Sequence, residues 1–482
     1  MSLRLSDLVK RDLGVDPVIT GVTADSRKVR PGFLFAALPG SKVDGRSFAP
    51  KAAEMGAAAI LAGRDIEGLS VPLVTALDPR RAYALAAAAL HGAQPAVCVA
   101  VTGTNGKTSV AAFCRQIFVS AGMKAASMGT LGVRIGAPGA ADVQITPPGL
   151  TTPDAADVAE LMARLAGDGV THLALEASSH GIDQRRLDAV KLTAAGFLNF
   201  TQDHLDYHGT MGVYRAAKLR LFETLLARGK TAVLNSDSDA YPVFAGAAVS
   251  AGQTIMSVGE TGQGLRLVSR SLLPEGPRLA VLFRGREYDV KLPLAGAFQA
   301  SNALVAAGLC IAAGLGVEDV LAGLEGIEGA PGRLQRVGAG PRGGEAYVDY
   351  AHTPDGLETV LRALRPHVKG RLIVVFGAGG DRDRAKRPIM GRIAAELADV
   401  AIVTDDNPRS EMPAAIRAEV MAGAAGLVEI GDRRAAIRAA VAQLSDGDIL
   451  VVAGKGHEQG QTIGDVVHPF DDVTETESAL HG

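Results

Sequence analysis

The segment AVCVAVTGTNGKTS occupies residues 96–109 and decides the fold of the middle of the chain. Residues 96–101 are apolar and predict a buried β-strand, and a helical pattern follows the glycine turn at residues 110–121. In such a turn the backbone N–H groups face a phosphate, Lys107 adds a cation, and Thr108 is placed to bind Mg²⁺. We therefore predict phosphate binding by Gly103, Thr104, Asn105, Gly106, Lys107, Thr108 and Ser109.

One position of this turn departs from the standard phosphate-loop pattern. That pattern has glycine where this chain has Val101. A glycine turn that merely leads into a helix is the competing interpretation. The order of strand, turn and helix favours a phosphate site over it.

The composition is that of an ordinary globular protein with several domains. The chain has 482 residues, too many for one hydrophobic core, and 47% are hydrophobic against 21% charged. A formal net charge of −3 and 4% aromatic residues argue against nucleic acid and anionic membranes as partners. Three scattered cysteines (Cys98, Cys114 and Cys310) suit neither a disulfide framework nor a zinc site. Without a signal-peptide core or a membrane-spanning apolar run, we expect a cytoplasmic protein.

Two turns rich in glycine and proline divide the chain into three predicted α/β domains. The turns at residues 91–95 and 329–332 give domains at residues 1–92, 93–329 and 330–482. In the second domain, apolar runs alternate with helical segments, which predicts a largely parallel sheet. The third domain repeats this rhythm in a smaller, Rossmann-like unit.

Further motifs follow one another along nearly the whole chain. They are DSR at 25–27, the phosphate loop, TTP at 151–153, EASSHG at 176–181, NFTQDHLDYH at 199–208, YRAAK at 214–218, GR at 332–333 and DYAH at 349–352. With these motifs the chain resembles the Mur ligase family. The resemblance implies an N-terminal domain that binds a UDP-linked substrate, a central ATPase-like domain and a C-terminal domain that binds an amino acid.

The same resemblance implies an ADP-forming ligase. Such an enzyme transfers the γ-phosphoryl group of ATP to a carboxylate, and an amine then attacks the acyl phosphate. The implied ATP contacts outside the loop are Asn302, Arg333 and Asp349. Taken alone, Arg333 would be a linker arginine, Asn302 a helix-start residue and Asp349 a turn former.

The implied cofactors are ATP, two Mg²⁺ ions and CO₂ bound as a lysine carbamate. The metal ligands would be Thr108, Glu176, His204 and carbamylated Lys218. Without the resemblance, Glu176 could cap the following helix and His204 could be a loop histidine. Lys218 could be a surface lysine paired with Glu223.

The motifs are most similar to those of family members that extend UDP-MurNAc-L-Ala-D-Glu in peptidoglycan precursor synthesis. The implied contacts to this substrate are Ser26, Thr151, Thr152, Ser178, Gln184 and Arg186, together with the turn Ser41-Lys42-Val43. Leu150 replaces an asparagine found in some members, so a side-chain hydrogen bond is lost there. Residues 151–154 also read as a helix entry with a threonine cap.

The DNPR run at 406–409 resembles the signature of members that add meso-diaminopimelate. The implied contacts are Arg382, Asp406, Asn407, Pro408, Arg409, Gly454 and Glu458. Arginine suits the extra carboxylate of this amino acid and an acidic side chain suits its extra ammonium. The competing interpretation is a helix that Asn407 caps and Pro408 begins.

Several alternatives stay open at this point. The GAGGDR run at 377–382 starts like a dinucleotide fingerprint, but it has Arg382 at the last glycine position. Addition of L-lysine and a folylpolyglutamate synthetase-like activity are the main enzyme alternatives. A nucleotide switch or transporter ATPase would instead require an aspartate at a strand end, where this chain has Glu176. We expect a monomer that acts on small molecules.

Overall fold

The computed structural model describes residues 2–11, 14–40, 43–147, 149–271, 276–294, 296 and 298–482. Its N-terminal part has a parallel sheet in the order β3-β4-β5-β6 and a separate β1-β2 pair. These strands are β1 Leu3–Arg4, β2 Val18–Ile19, β3 Gly21–Thr23, β4 Phe33–Ala37, β5 Ala59–Ala62 and β6 Leu73–Thr75. The helices of this part are α1 Leu5–Val9, α2 Ala49–Glu54 and α3 Pro79–His91.

The central sheet has the strand order β10-β9-β8-β11-β7-β12-β13-β14-β15-β16-β17. Its strands are β7 Val97–Thr102, β8 Ala125–Gly129, β9 Gly132–Gly136, β10 Val143–Thr146, β11 His172–Glu176, β12 Ala194–Phe197, β13 Thr231–Asn235, β14 Thr254–Gly259, β15 Leu265–Ser271, β16 Arg278–Phe283 and β17 Arg286–Lys291. Its helices are α4 Lys107–Ser120, α5 Ala155–Gly167, α6 Ser179–Asp183, α7 Leu205–His208, α8 Met211–Arg220, α9 Tyr241–Ser250, α10 Phe298–Ala312 and α11 Val317–Leu324.

Strand β7 is apolar up to Val101 because helices cover both faces of the central sheet. Val99 and Val101 pack into one core with α4, α10 and α11, while Cys98 and Ala100 pack into another on the opposite face. A strand buried on both faces needs apolar side chains in both directions, so its sequence does not alternate. Within the sheet, each neighbouring pair in the row β8-β11-β7-β12-β13-β14-β15 is parallel, as predicted. Antiparallel strands extend the sheet beyond β8 at one edge and beyond β15 at the other.

The C-terminal sheet has the order β18-β19-β23-β20-β21-β22 and is parallel except at β18. Its strands are β18 Gln335–Ala339, β19 Glu345–Asp349, β20 Leu372–Phe376, β21 Val400–Val403, β22 Val428–Glu429 and β23 Ile449–Ala453, and a hairpin of β24 Gly460–Ile463 and β25 Val466–Pro469 follows. The helices are α12 Pro354–Leu364, α13 Lys386–Leu397, α14 Pro413–Met421, α15 Arg433–Ala442 and α16 Asp472–His481. Among all the described helices, none is both long and apolar enough to cross a bilayer.

Several local alternatives are wrong. Helix α14 begins at Pro413, so Asn407 does not cap it. Asp154 rather than a threonine caps α5, and Ser178 rather than Glu176 caps α6. In each case the side chain that caps the helix is decided by the position of the first turn, which the sequence alone leaves uncertain by a few residues.

Candidate active site

The phosphate loop between β7 and α4 is tightly turned, and residues of other elements contact it closely. Gly106 has φ +88°, and a Cβ there would collide with Oδ1 of Asn302 from α10. The position therefore requires glycine for its conformation and for the close approach of a second element. Oδ1 of Asn199 accepts hydrogen bonds from the backbone N–H groups of Thr104 (3.1 Å) and Asn105 (2.9 Å). Strand β12, which Asn199 follows, thus holds the loop from the side.

Glu176 lies beside the loop because β11 pairs in parallel with β7, so the two strands end together. Oε2 of Glu176 accepts a hydrogen bond from Oγ1 of Thr108 at 3.0 Å, and Oε1 accepts one from the backbone N–H of Thr130 at 2.8 Å. Both Thr108 and Glu176 are buried. A carboxylate and a hydroxyl are oxygen ligands of the kind that Mg²⁺ prefers.

Lys218 is buried, so the surface-lysine alternative is wrong. Its Nζ donates a hydrogen bond to the carbonyl oxygen of Gly103 at 2.7 Å, which brings α8 onto the phosphate loop. Burial and, next, the nearby Lys107 ammonium hold the pKa of Lys218 well below its usual value. A lower pKa increases the fraction of neutral amine, the form that carbamylation requires.

His204 lies at the start of α7 with φ 54° and forms a pair with Asp203, with 3.2 Å between Nε2 and Oδ2. Burial lowers the pKa of His204 to about 3, although the charge of Asp203 acts in the opposite direction. A neutral imidazole is the form that binds a metal. Within the described residues, no group of three or more His, Cys, Asp or Glu side chains is arranged to hold a metal ion.

A cavity of about 280 Å³ lies between the phosphate loop and the C-terminal domain. It is lined by Asn105, Gly106, Thr108, Ser109, Asn302, Arg333 and Asp349, among others. Arg333 donates from Nη2 to Oγ1 of Thr108 at 3.1 Å and lies 4.3 Å from the ring centre of Tyr350. Predicted nucleotide residues of the central and C-terminal domains therefore meet in one cavity, although Gly103, Thr104 and Lys107 do not line it.

Asp349 organises this cavity through its backbone contacts. Its two oxygens accept hydrogen bonds from the N–H groups of Leu334 (2.6 Å) and Ala351 (2.7 Å). Burial raises the pKa of Asp349 to about 6. The Asp349 carboxylate therefore links the backbone at Leu334 to the backbone at Ala351.

A second cavity, of about 320 Å³, adjoins the first across the domain boundary. The C-terminal domain contributes six of the predicted residues, namely Arg382, Asp406, Asn407, Arg409, Gly454 and Glu458. The central domain contributes His180, Asp203 and His204. Burial would raise the pKa of Asp406, but the cations Lys455 and Arg433 hold it below its usual value. Cationic and anionic side chains are therefore kept together in one cavity.

The predicted contacts to the muramoyl dipeptide fall into two groups. Oγ1 of Thr152 donates to the carbonyl oxygen of Glu176 (2.9 Å) and lies 2.9 Å from Oγ of Ser178. Arg186 donates to the carbonyl oxygen of Thr152 (2.5 Å) and to Oε1 of Gln184 (2.7 Å). Oγ1 of Thr151 lies 3.0 Å from that of Thr130, whose backbone N–H binds Glu176.

Ser26 belongs to the second group and lines a broad N-terminal cleft of about 1390 Å³. Its neighbours in the cleft include Asp25, Arg27 and Val43, and α5 of the central domain closes one side with Asp154. The predicted Ser41 and Lys42 lie outside the described residues.

Three family models match the chain in sequence. The Mur ligase family catalytic domain matches residues 18–93, the Mur ligase middle domain residues 101–310, and the Mur ligase glutamate ligase domain residues 332–456. The chain belongs to the Mur ligase family.

Similar proteins cover the chain from end to end. The UDP-N-acetylmuramoyl-L-alanyl-D-glutamate–2,6-diaminopimelate ligase of Caulobacter vibrioides is 71% identical over 100% of this chain and 99% of its own length. The ligase of the same name from Mesorhizobium japonicum is 52% identical over 99% of both chains. A solved structure of a ligase with this name has a TM-score of 0.72 at 33% identity, and the match covers 100% of this chain and 99% of that one.

This Mur ligase also has site residues that the motifs did not identify. Lys386 lines the second cavity and donates to the carbonyl oxygen of His352 at 2.9 Å. Asp355 lines both cavities, and the buried Lys455 contacts two cavity residues. Asp355 and Lys455 become visible only when distant segments are brought together. Pro408 does not line the cavity, although both its neighbours in the chain do.

Proposed function

We propose that this Mur ligase is an ATP-dependent, ADP-forming enzyme that joins meso-diaminopimelate to the D-Glu carboxylate of UDP-MurNAc-L-Ala-D-Glu. The observation that carries the proposal is the meeting of the second cavity with the phosphate-loop cavity at the domain boundary. An acceptor amine in one cavity would face a carboxylate activated at the edge of the other. The proteins named above that act on this substrate pair support it by their identity over the full length.

The reaction follows from what these residues can bind. A D-Glu carboxylate oxygen attacks the γ-phosphorus of ATP, and ADP leaves with the electrons of the broken P–O bond. The amine then attacks the acyl carbon, loses a proton and displaces inorganic phosphate. Lys107, Arg333 and the loop N–H groups would hold the phosphates, because cations and N–H groups stabilise the charge that develops there.

We propose that Thr108 and Glu176 hold one Mg²⁺ and that His204 and Lys218 hold a second. Mg²⁺ would neutralise phosphate charge during the transfer. Their chemistry fits this use, since Thr108 and Glu176 present oxygens and burial keeps His204 neutral. A second Mg²⁺ held by His204 and Lys218 would need an anionic oxygen ligand from Lys218 itself. A carbamate at Lys218, formed from its neutral amine and CO₂ with loss of a proton, would supply one.

We propose that the acceptor lies in the second cavity with its far end at the C-terminal domain. Arg382 and Arg409 would bind its extra carboxylate, and Asp406 and Glu458 would attract its extra ammonium. Asn302 and Asp349 would shape the nucleotide cavity. Ser26 would bind the UDP end and Thr151, Thr152, Ser178, Gln184 and Arg186 the dipeptide end of the other substrate.

We also propose domains at residues 1–92, 93–329 and 330–482, and a monomer, since both cavities are formed within one chain. Because ATP and UDP-linked precursors are cytoplasmic metabolites, we place the reaction in the cytoplasm.

The decisive experiment measures ADP release by the purified enzyme with ATP, Mg²⁺ and UDP-MurNAc-L-Ala-D-Glu. We expect release to require an amino acid and to be much faster with meso-diaminopimelate than with L-lysine. Equal rates with the two amino acids would reject the specificity. Release that depends on a folate in place of the UDP-linked substrate would reject the proposed function.

A further inference from the structure

Lys455 has a fully buried side chain and lies directly behind the acceptor cavity. It follows Gly454, whose φ is +122° and where a Cβ would lie 2.6 Å from Oδ2 of Asp406. Nζ of Lys455 donates to Oδ1 of Asn407 at 3.0 Å and to Oε2 of Glu458 at 3.1 Å. A buried ammonium is costly unless it is paired and hydrogen-bonded, so these contacts account for its position.

The contacts of Asn407 leave its amide only one orientation. Oδ1 accepts from Nζ of Lys455 and also from the backbone N–H of Thr462 at 2.9 Å. An ammonium and a backbone N–H can only donate, so a flipped amide would place its NH₂ group against two donors. Nδ2 donates one of its hydrogens to Oε2 of Glu458 at 2.8 Å. Within the described residues no acceptor contacts the second hydrogen of Nδ2, and Asn407 lines the cavity.

The hydrogen bonds to Glu458 likewise involve one of its two carboxylate oxygens. Oε2 receives two hydrogen bonds, one from Lys455 and one from Asn407. Within the described part of the chain, no donor contacts Oε1, and Glu458 lines the cavity. The carboxylate therefore presents a hydrogen-bond acceptor to the cavity, next to the donor that Asn407 presents.

The backbone of the DNPR run is fixed separately by β24. Nε2 of Gln461 donates to the carbonyl oxygen of Asp406 at 2.8 Å, and the N–H of Arg409 donates to the carbonyl oxygen of Thr462 at 3.0 Å. Lys455 thus has a distinct part in the site. It contacts the side chains of Asn407 and Glu458, whereas β24 holds the backbone and contributes one hydrogen bond to Oδ1 of Asn407, from the N–H of Thr462.

We propose that Lys455 is a positioning residue for amino-acid selection: it orients Asn407 as a donor and Glu458 as an acceptor. The pair then recognises the far end of the acceptor, with a carboxylate at Asn407 and Arg409 and an ammonium at Glu458. An acceptor lacking either group leaves one of these partners unsatisfied. The inference rests on the proposed function, because it concerns the same acceptor cavity.

The test compares Lys455→Met with the wild type and with Lys369→Met, the same change at an exposed lysine. We expect Lys455→Met to raise the KM for meso-diaminopimelate by about tenfold or more. The KM values for ATP and for UDP-MurNAc-L-Ala-D-Glu stay within about twofold, since those substrates bind elsewhere. Lys369→Met leaves all three unchanged. Equal rises in all three KM values for Lys455→Met overturn the proposal.

A double-mutant cycle separates positioning from general damage. If Lys455 acts through Asn407, then Lys455→Met adds little to the effect of Asn407→Ala on the KM of the amino acid. Fully additive effects overturn the proposal.

Acceptor analogues test the wild type directly, whether or not the variants fold. L-Lysine lacks the far carboxylate and 2-aminopimelate lacks the far ammonium, and each is expected to be a poor acceptor. Wild-type enzyme that uses either analogue as well as meso-diaminopimelate overturns the inference. Wild-type enzyme that releases no ADP with meso-diaminopimelate rejects the proposed function itself.

Discussion

Nδ2 of Asn105 in the phosphate loop donates a hydrogen bond to Oδ2 of Asp355 in the first turn of α12, at 2.6 Å. The same oxygen accepts a hydrogen bond from Oγ1 of Thr201 at 3.2 Å. Asp355 therefore joins two loops of the central domain to the C-terminal domain. It also lines both the nucleotide cavity and the acceptor cavity. The C-terminal domain and the phosphate loop are thus connected through one carboxylate.

We predict that Asp355→Ala lowers kcat/KM for ATP by about tenfold, because hydrogen bonds to a charged group are among the stronger ones in proteins. The measurement is ADP release at saturating concentrations of the other substrates. Glu358→Ala is the matched control, since Glu358 lies on the same helix and pairs with Arg362 at the surface. Unchanged kinetics of Asp355→Ala would show that the contact has no role in catalysis.

The phosphate loop could be predicted from the sequence because all its determinants are local. One short segment contains the apolar run of β7, the glycine at 106 and the helix that follows. The local preferences of these three parts agree with one another and with the fold. The parallel central sheet could also be predicted, because alternating strands and helices allow few other arrangements. The antiparallel strands at its edges, such as β16 and β17, have no comparable signal.

The rest of the site depends on contacts between residues that are far apart in the sequence, and no local pattern encodes such contacts. The helical spacing of α8 does not show which residue Lys218 contacts. In the structure its Nζ donates to the carbonyl oxygen of Gly103. Asn407 has the local pattern of a helix cap, yet its side chain bonds to Lys455 and Glu458. The tertiary contacts override the local preference here. Motif resemblance predicts a contact between Asn407 and the amino acid, and the structure places Asn407 in the second cavity and shows how its amide is oriented.

We predict that Lys218 carries a carbamate when the enzyme is active. Since burial and Lys107 lower its pKa, more of the amine is neutral near neutral pH than for an exposed lysine, and the neutral form reacts with CO₂. Enzyme in ¹³C-labelled bicarbonate should show a carbamate ¹³C NMR signal that Lys218→Met lacks and Lys369→Met retains. Lys218→Met should also lose more than about a hundredfold of kcat, as expected for a lost group that stabilises the transition state. An ordinary ammonium at Lys218 in a metal-bound crystal would contradict the prediction.

We predict that Arg409→Lys raises the KM for meso-diaminopimelate by about tenfold, with little change in the KM for ATP. Arg409 lines the acceptor cavity, adopts φ 54° and donates from Nη1 to the carbonyl oxygen of Gly380 at 2.7 Å. Lysine keeps the charge but lacks the planar fork that binds a carboxylate with two nitrogens. Arg384→Lys serves as the control, because Arg384 is exposed and pairs with Glu419 outside the cavity. A collapse of ATP affinity in Arg409→Lys would place this arginine in the nucleotide cavity instead.

We predict that His457 makes the enzyme less stable as the pH falls below 6.5. Burial, together with the charges of Arg333 and His352, lowers its pKa to about 3 in the folded state. Between about pH 3 and pH 6.5 the unfolded chain therefore binds a proton that the folded enzyme excludes, so acid favours unfolding. For this one group, the free energy of unfolding changes by at most about 1.4 kcal/mol for each pH unit.

The measurement is urea unfolding of wild type, His457→Asn and His468→Asn between pH 5 and pH 7, where His468→Asn changes an exposed histidine. Stability of the His457→Asn variant should fall less steeply with acid than that of the wild type, and His468→Asn should follow the wild type. Some slope remains in His457→Asn, because burial also lowers the pKa of His180 to about 4 and that of His204 to about 3. Parallel curves for His457→Asn and wild type would mean that His457 accepts its proton in the folded enzyme after all.

The His457 ring lies 5.0 Å from that of Tyr350, which lines the nucleotide cavity. A bound nucleotide should raise the free energy of unfolding of the wild type at every pH of the series, since it binds the folded state and not the unfolded chain.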